Sequence, residues 1–124
     1  MTSISEADSA LINRFFATMQ SGAVAEAEMM SLFAADAEYI EPFSGAPRTH
    51  RGQDAIRDVM RESWKTPLPD MRIEIDRLAI SGDVLHAEWT CYSPALPGGQ
   101  GRGENLFTVK DGKIVRLETR FLGG

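Results

Sequence analysis

The sequence has few of the residues from which metal centres and disulfide frameworks are built. Its 124 residues include one cysteine and two histidines. Cys91, His50 and His86 have no spacing typical of a metal-ligand set, and a lone cysteine cannot form an internal disulfide. Cys91 lies in an alternating apolar run, where a buried structural thiol is typical. We therefore expect neither a metal site nor a bound cofactor.

Basic charge and long apolar runs are also scarce. Lys and Arg number 13 against 18 Asp and Glu, a formal net charge of -5, and the two signs are interspersed. Because contacts to nucleic-acid phosphates need a basic face, we expect no DNA or RNA partner. No apolar run reaches membrane length and the polar N-terminus does not resemble a signal peptide, so we expect a cytoplasmic protein without membrane contact.

What the sequence does contain is an ordinary globular composition, with 43% hydrophobic and 25% charged residues. Two domains would each be too small to build a sufficient apolar core, so we expect a single domain over residues 1–124.

The first half of the sequence has the helical period. Ser3 and Glu6 have capping-box spacing, and the helix that they begin is predicted to end near Gly22. A second, short helix is predicted over about residues 24–36 and a third over 53–64, each from apolar residues spaced three and four apart.

The second half has the period of two that is typical of strands. Ser81-Gly82-Asp83 and Asp111-Gly112 supply the turns between strands. Extended segments are predicted at 38–41, 71–76, 84–92, 104–110 and 114–121, whereas 43–52 is predicted to be a loop. Helices followed by a meander of strands predict an α+β fold, with the helices on one face of an antiparallel sheet.

Alternation assigns one face of each late strand to the core and the other to charged side chains that are able to pair across strands. The residues predicted to face the helices are Leu85, Ala87, Trp89, Cys91, Asn105, Phe107, Val109, Val115, Leu117, Thr119 and Phe121. The opposite face holds His86, Glu88, Thr90, Arg102, Glu104, Arg116, Glu118 and Arg120.

Several fragments, in their order and spacing, resemble the nuclear transport factor 2-like superfamily, which includes ketosteroid isomerases and SnoaL-type polyketide cyclases. They are Leu32-Phe33-Ala34-Ala35-Asp36-Ala37 leading to Glu41-Pro42, then Pro47-Arg48, the helix start at 52–57, and Asp111-Gly112-Lys113-Ile114-Val115. The resemblance covers nearly the whole chain. It implies a cone-shaped fold in which three N-terminal helices pack on a strongly curved antiparallel sheet and enclose a pocket. It also implies a homodimer formed through the open sheet face.

The resemblance to ketosteroid isomerases implies a candidate active site. In those enzymes an acidic residue just before a proline is the general base, and Glu41 before Pro42 matches it. Phe15 stands where a first-helix tyrosine is expected, and Asn105 stands where a protonated aspartate is expected. An amide N–H stays a donor at neutral pH, so Asn105 is a candidate donor to an enolate. Tyr39, on the same strand face as Glu41, is a second.

The sequence therefore predicts a cofactor-independent isomerase or lyase that removes a proton next to a carbonyl, with Glu41 as base and Asn105 and Tyr39 as donors. The ligand is expected to be small and apolar, because the predicted pocket wall is largely aromatic and aliphatic. That wall is Phe15, Phe43, Met60, Trp64, Trp89, Phe107, Leu117, Thr119 and Phe121.

Other interpretations stay open at this stage. A non-catalytic binder of an apolar metabolite needs only the pocket, and a protein-interaction module needs only the outer sheet face. A cyclase-type acid on the last strand would fall near Thr119, which cannot act as one. Glu41 is also able to pair with Arg48, Asn105 to bond within the sheet, and His50 to lie solvated in its loop.

Overall fold

The computed structural model describes residues 4–123. The first helix is capped by Ser5, whose hydroxyl oxygen accepts a hydrogen bond from the backbone N–H of Asp8 at 3.1 Å. This satisfies one of the free N–H groups of the first turn. The predicted capping residue Ser3 lies outside the described residues.

Two long helices and one short one precede or interrupt the sheet. Helix α1 spans Glu6–Ser21 and α3 spans Gln53–Trp64, as predicted from their apolar spacing. The predicted second helix is only a 3₁₀ turn, Gly22–Ala25, followed by the six-residue α2, Glu26–Ser31. The expectation of three full helices is therefore wrong, because the chain becomes extended at Phe33, where the apolar residues of the predicted helix instead begin a strand.

Six strands form one open sheet in the order β2-β1-β6-β5-β4-β3. Their bounds are β1 Phe33–Glu41, β2 Arg48–Arg51, β3 Arg72–Ser81, β4 Val84–Tyr92, β5 Gln100–Lys110 and β6 Lys113–Gly123. All neighbours are antiparallel except β1 and β6, which are parallel. The predicted all-antiparallel sheet is thus corrected at one pair, whose long connection in sequence permits parallel pairing.

The sheet is not strongly curled, so the expectation of a strongly curved sheet is wrong. Register shifts between β3 and β4 and between β5 and β6 are confined to single positions, such as the one between Ile75 and Arg77. Each such bulge bends its strand locally and leaves the pairing on either side continuous.

The core lies between the helices and the inner sheet face. Phe15 of α1 makes edge-to-face contacts with Phe16, Phe33 and Phe107, at ring-centroid distances of 5.5, 6.1 and 5.4 Å. Such aromatic pairs add to the stabilisation that comes from burying their area. None of the helices in residues 4–123 combines the length and the apolar character needed to cross a membrane.

A bulge changes which residues of β6 face the core. Alternation predicted Val115 to point inward, but Ile114 is fully buried and Val115 only partly. The register between β5 and β6 shifts between Thr108 and Val109, so Val109 pairs with Ile114. Beyond this shift Leu117 and Thr119 are buried as predicted.

The segment predicted to be a loop contains edge strand β2, which pairs with the end of β1. Its register sets Arg48 opposite Glu41 and His50 opposite Tyr39. β2 has no apolar alternation, because an edge strand whose side chains are mostly exposed tolerates polar and charged residues. This pairing brings two basic side chains to the candidate site.

Candidate functional site

Glu41 ends β1 with its side chain buried on the inner sheet face, with only 1% of its surface exposed. Oε1 accepts a hydrogen bond from the backbone N–H of Phe43 at 2.9 Å. Oε2 accepts from Nε of Arg48 at 2.9 Å and contacts Nε2 of His50 at 2.7 Å. The carboxylate therefore has three donors around it, so its burial is compensated.

These donors decide the charge of Glu41. Burial alone raises the pKa of a carboxyl group, but the hydrogen bonds from His50, the Phe43 backbone and Arg48 outweigh it, and the pKa of Glu41 is lowered from its ordinary value. Glu41 is consequently an anion at neutral pH. A carboxylate accepts hydrogen bonds and donates none, so Nε2 of His50 carries the proton that joins the two residues.

Asn105, on β5, is buried beside two side-chain donors. Its Oδ1 accepts hydrogen bonds from Nε1 of Trp89 at 3.1 Å and from the hydroxyl of Thr119 at 2.9 Å. Because the indole nitrogen donates only, the orientation of the amide is determined, and Nδ2 points away from Trp89.

Nδ2 of Asn105 is left free to donate elsewhere. It makes no hydrogen bond to a described residue, whereas every buried side-chain nitrogen or oxygen in the described part of the chain has a partner. It follows that Nδ2 is reached by solvent, although the residue as a whole is buried. The Asn105 amide therefore has an N–H donor that no described residue engages.

Tyr39 lies next to the same group on the inner face. Its side chain is buried, with its hydroxyl near Thr119 and its ring centroid 6.2 Å from that of His50. Burial raises the pKa of Tyr39, and the negative charge of Glu41 raises it further. The phenol is thus protonated, and remains a donor, throughout the physiological pH range.

Strand pairing arranges these residues in one row across the sheet. Ile40 pairs with Glu118, which sets Glu41 beside Thr119, and Thr119 pairs with Asn105. Two strand spacings separate the backbones of Glu41 and Asn105, which is about 10 Å. The small side chain of Thr119 lies between them. The row thus has an anion at one end and an amide donor at the other.

An exposed aromatic pair stands at the rim of this row. Phe43 follows Glu41 by two residues and Phe121 follows Thr119 by two, and their rings meet edge to face with centroids 5.4 Å apart. They remain 54% and 57% exposed. Exposed aromatic surface beside buried polar groups is typical of a ligand entrance or a partner contact.

The other predicted wall residues lie deeper. Phe15, Met60, Phe107 and Leu117 are buried in the core, Trp89 is nearly so, and Trp64 is partly buried against it.

Two surface grooves, of about 520 and 320 Å³, lie away from the candidate site. The first is beside Phe33 and Lys113, and the second is beside Ile80 and His86. Neither groove is lined by Glu41, Tyr39 or Asn105.

No group of three or more His, Cys, Asp or Glu side chains within residues 4–123 is arranged to hold a metal ion. Cys91 is buried on the inner face, and burial raises the pKa of its thiol. A protonated, buried thiol is a poor nucleophile, so Cys91 adds no reactive group to the site.

The outer face of the sheet carries ion pairs within β6, which Glu118 makes, and the predicted kind across strands, which Glu104 and Glu38 make. Arg120 contacts Glu118 at 2.9 Å and Glu104 at 3.8 Å, and Arg116 contacts Glu118 at 3.3 Å and Glu38 at 3.8 Å. Exposed pairs of this kind each contribute little to stability. The homodimer expected through this face stays a prediction.

Two residues of the site were not among the predicted ones. Sequence reasoning assigned His50 to a solvated loop and weighed Arg48 only as a partner of Glu41, a contact that is now confirmed. The missed signal is the spacing of two: Arg48 and His50 alternate in the same way as Tyr39 and Glu41, as the two strands of a hairpin do.

Comparison with solved structures gives the fold class. A proposed ketosteroid isomerase from Kribbella flavida has a TM-score of 0.75 and 20% identity, covering 97% of this chain and 81% of its own. A proposed polyketide cyclase from Sinorhizobium meliloti has a TM-score of 0.73 and 23% identity, covering 90% and 94%. An NTF2-like protein of unknown function from Burkholderia pseudomallei has a TM-score of 0.77 and 18% identity, covering 94% and 92%.

These likenesses show the α+β fold of NTF2-like structures, the fold that the sequence resemblance implied. More narrowly, the chain belongs to the SnoaL-like domain family, whose family model matches residues 12–117. A search of curated protein sequences found no significant match. The family describes the scaffold, and activity has to be argued from the site.

Proposed function

We propose that the protein binds a small, mostly apolar, carbonyl-bearing molecule over Thr119 and removes a proton next to its carbonyl, as an isomerase or lyase without a cofactor. One observation carries the proposal: a buried carboxylate and a solvent-reached amide face the same side of the sheet, about 10 Å apart across one small residue. In this arrangement the C–H next to the carbonyl is directed to the acidic end of the row and the carbonyl oxygen to the amide.

The donors at the amide end support enolate stabilisation. Nδ2 of Asn105 is free, and the phenol of Tyr39 stays protonated because burial raises its pKa. Two donors that are held in place before the reaction stabilise a developing oxyanion without reorganisation, and losing one such donor costs about 100- to 1,000-fold in rate in other enzymes.

The acidic end supports proton removal by the Glu41–His50 pair. Both groups lie on the inner face, joined by a 2.7 Å hydrogen bond. Phe43 and Phe121 at the rim supply apolar surface for the rest of the ligand. A flat ketone satisfies all of these features.

The test follows deuterium incorporation into 2-tetralone, a flat apolar ketone with acidic α-hydrogens, in D₂O. We expect wild-type protein to accelerate exchange, and Glu41→Gln and Asn105→Ala each to reduce it while far-UV circular dichroism stays unchanged. Exchange by both variants at the wild-type rate would remove the proposal.

A second function, non-catalytic binding of an apolar metabolite, is favoured by one observation. Both carboxylate oxygens of Glu41 already accept hydrogen bonds from the protein, and the pKa of Glu41 is lowered. Each of these properties makes Glu41 a weaker base. Stabilisation of the protein by 2-tetralone in a thermal-shift assay, together with no deuterium incorporation, would support this function instead.

A further inference from the structure

We propose that His50 is the catalytic base of the Glu41–His50 pair, that Nδ1 is its proton-accepting atom, and that Glu41 is a positioning residue. The inference rests on the proposed function. It assigns a separate role to each residue of the Glu41–His50 pair. It starts from the 2.7 Å hydrogen bond between Nε2 of His50 and Oε2 of Glu41.

The tautomer of His50 follows from the charge of its partner. An ionised carboxylate only accepts, so the proton of the neutral imidazole lies on Nε2 and the lone pair lies on Nδ1. Glu41 is held in turn by Nε of Arg48 and the backbone N–H of Phe43. The ring therefore has one orientation and one tautomer, which a base needs in order to act at a defined position.

Nδ1 is also the accessible atom of the pair. It has no hydrogen bond to a described residue, and because every buried side-chain nitrogen or oxygen among residues 4–123 has a partner, Nδ1 is reached by solvent. The His50 side chain is 18% exposed, whereas that of Glu41 is fully buried. A ligand on the inner face meets the imidazole before it meets the carboxylate.

Glu41 is poorly suited to take the proton itself. Its two oxygens receive three donors, one of them the charged Arg48, and these contacts stabilise the ionised form over the protonated one. Nearby charged or titratable groups with described contacts to the pair are Arg48 on β2 and Tyr39 on β1. Arg48 stabilises the carboxylate as an anion, and an anion beside His50 stabilises the imidazolium that forms when Nδ1 is protonated.

The step balances as a simple proton transfer. The substrate C–H bond next to the carbonyl breaks, an N–H bond forms at Nδ1, and the electron pair moves to the carbonyl oxygen as an enolate. Asn105 Nδ2–H and the Tyr39 hydroxyl donate to that oxygen. The imidazolium, paired with Glu41, then returns the proton to carbon.

The positioning role is tested without any ligand. In ¹⁵N-histidine-labelled protein above the histidine titration range, we expect the His50 imidazole to be the Nε2–H tautomer. In Glu41→Gln this preference should weaken, because an amide both donates and accepts, while His86 on the outer face serves as the unchanged control. An Nδ1–H tautomer in wild-type protein would overturn the assignment.

The proton-accepting role is tested by deuterium exchange of 2-tetralone. His50→Gln should lose about 100- to 10,000-fold of the catalysed rate, with partial recovery on adding imidazole, whereas His86→Gln should exchange like the wild type. If His50→Gln keeps the wild-type rate, Glu41 is the base and the inference is wrong. If wild-type protein catalyses no exchange, the proposed function and the role of Nδ1 both fail, while the tautomer spectra still decide whether Glu41 positions His50.

Discussion

Nε1 of Trp89 donates a hydrogen bond to Oδ1 of Asn105 at 3.1 Å, and this contact determines which end of the amide is available to a ligand. The Thr119 hydroxyl donates to the same oxygen. If the oxygen were turned away, the buried indole N–H would face an amide nitrogen that cannot accept. A core tryptophan on β4 thus orients a candidate site residue on β5.

Removing this acceptor should destabilise the protein. Asn105→Ala leaves the Trp89 N–H without its partner, and we expect a loss of about 1–3 kcal/mol in the free energy of unfolding. Urea denaturation of Asn105→Ala, Trp89→Phe and the double variant forms a double-mutant cycle. We expect a coupling free energy of about 0.5–1.5 kcal/mol, and simple additivity would contradict the contact.

Gly103 should tolerate no side chain. A Cβ placed there would overlap the Trp89 ring and lie 2.8 Å from the carbonyl oxygen of Arg120. Gly103→Ala is therefore expected to cost about 1–3 kcal/mol through overpacking. The matched control is Gly101→Ala on the same strand, where the added methyl would meet only Leu96 Cδ1, at 3.9 Å. Equal unfolding free energies for the two variants would count against the described packing.

Glu41 should make stability depend on pH in the acid range. Its pKa in the folded protein is lowered, so its contribution is fully present above the unfolded-state pKa and disappears as the pH falls through the folded-state value. Between pH 6 and 3 we expect Glu41→Gln to lose stability less steeply than the wild type.

The control variant for the pH dependence of stability is Glu26→Gln. The pKa of Glu26 is also lowered, by its hydrogen bond to Arg61, but this pair is exposed to solvent and screened. We therefore expect Glu26→Gln to keep most of the acid dependence of the wild type. Urea titrations at several pH values measure both slopes, and a wild-type slope in Glu41→Gln would argue against a buried ionised carboxylate.

Replacing a buried aromatic residue should destabilise the protein much more than replacing an exposed one at the rim of the site. Phe107 is fully buried beside Phe15, and Phe107→Ala should cost about 3–5 kcal/mol. Phe121 is 57% exposed, and Phe121→Ala should cost less than about 1 kcal/mol while it weakens binding of 2-tetralone. Thermal denaturation measures the first quantity and tryptophan fluorescence titration the second. A large loss of stability in Phe121→Ala would assign that ring to the core.

Prediction from sequence was accurate where local periodicity and burial agree. Helices α1 and α3 and the existence of the strands from β3 onward follow from apolar spacing and from the Ser81-Gly82-Asp83 and Asp111-Gly112 turns, although β3 ends later than the predicted 71–76 and β5 begins earlier than the predicted 104–110. It failed where non-local pairing decides the structure: β1 begins at Phe33, inside a predicted helix, because it pairs in parallel with β6, which lies far away in sequence. The same applies to the bulge that buries Ile114.

At the candidate site the sequence by itself determined that Glu41 and Tyr39 share a strand face and that Asn105 faces the same way, because strand alternation is a local property. Only the tertiary structure decided that His50 joins Glu41 and that Trp89 orients Asn105. Those contacts depend on the register between separate strands and on the direction of individual hydrogen bonds, which long-range packing sets and local sequence does not.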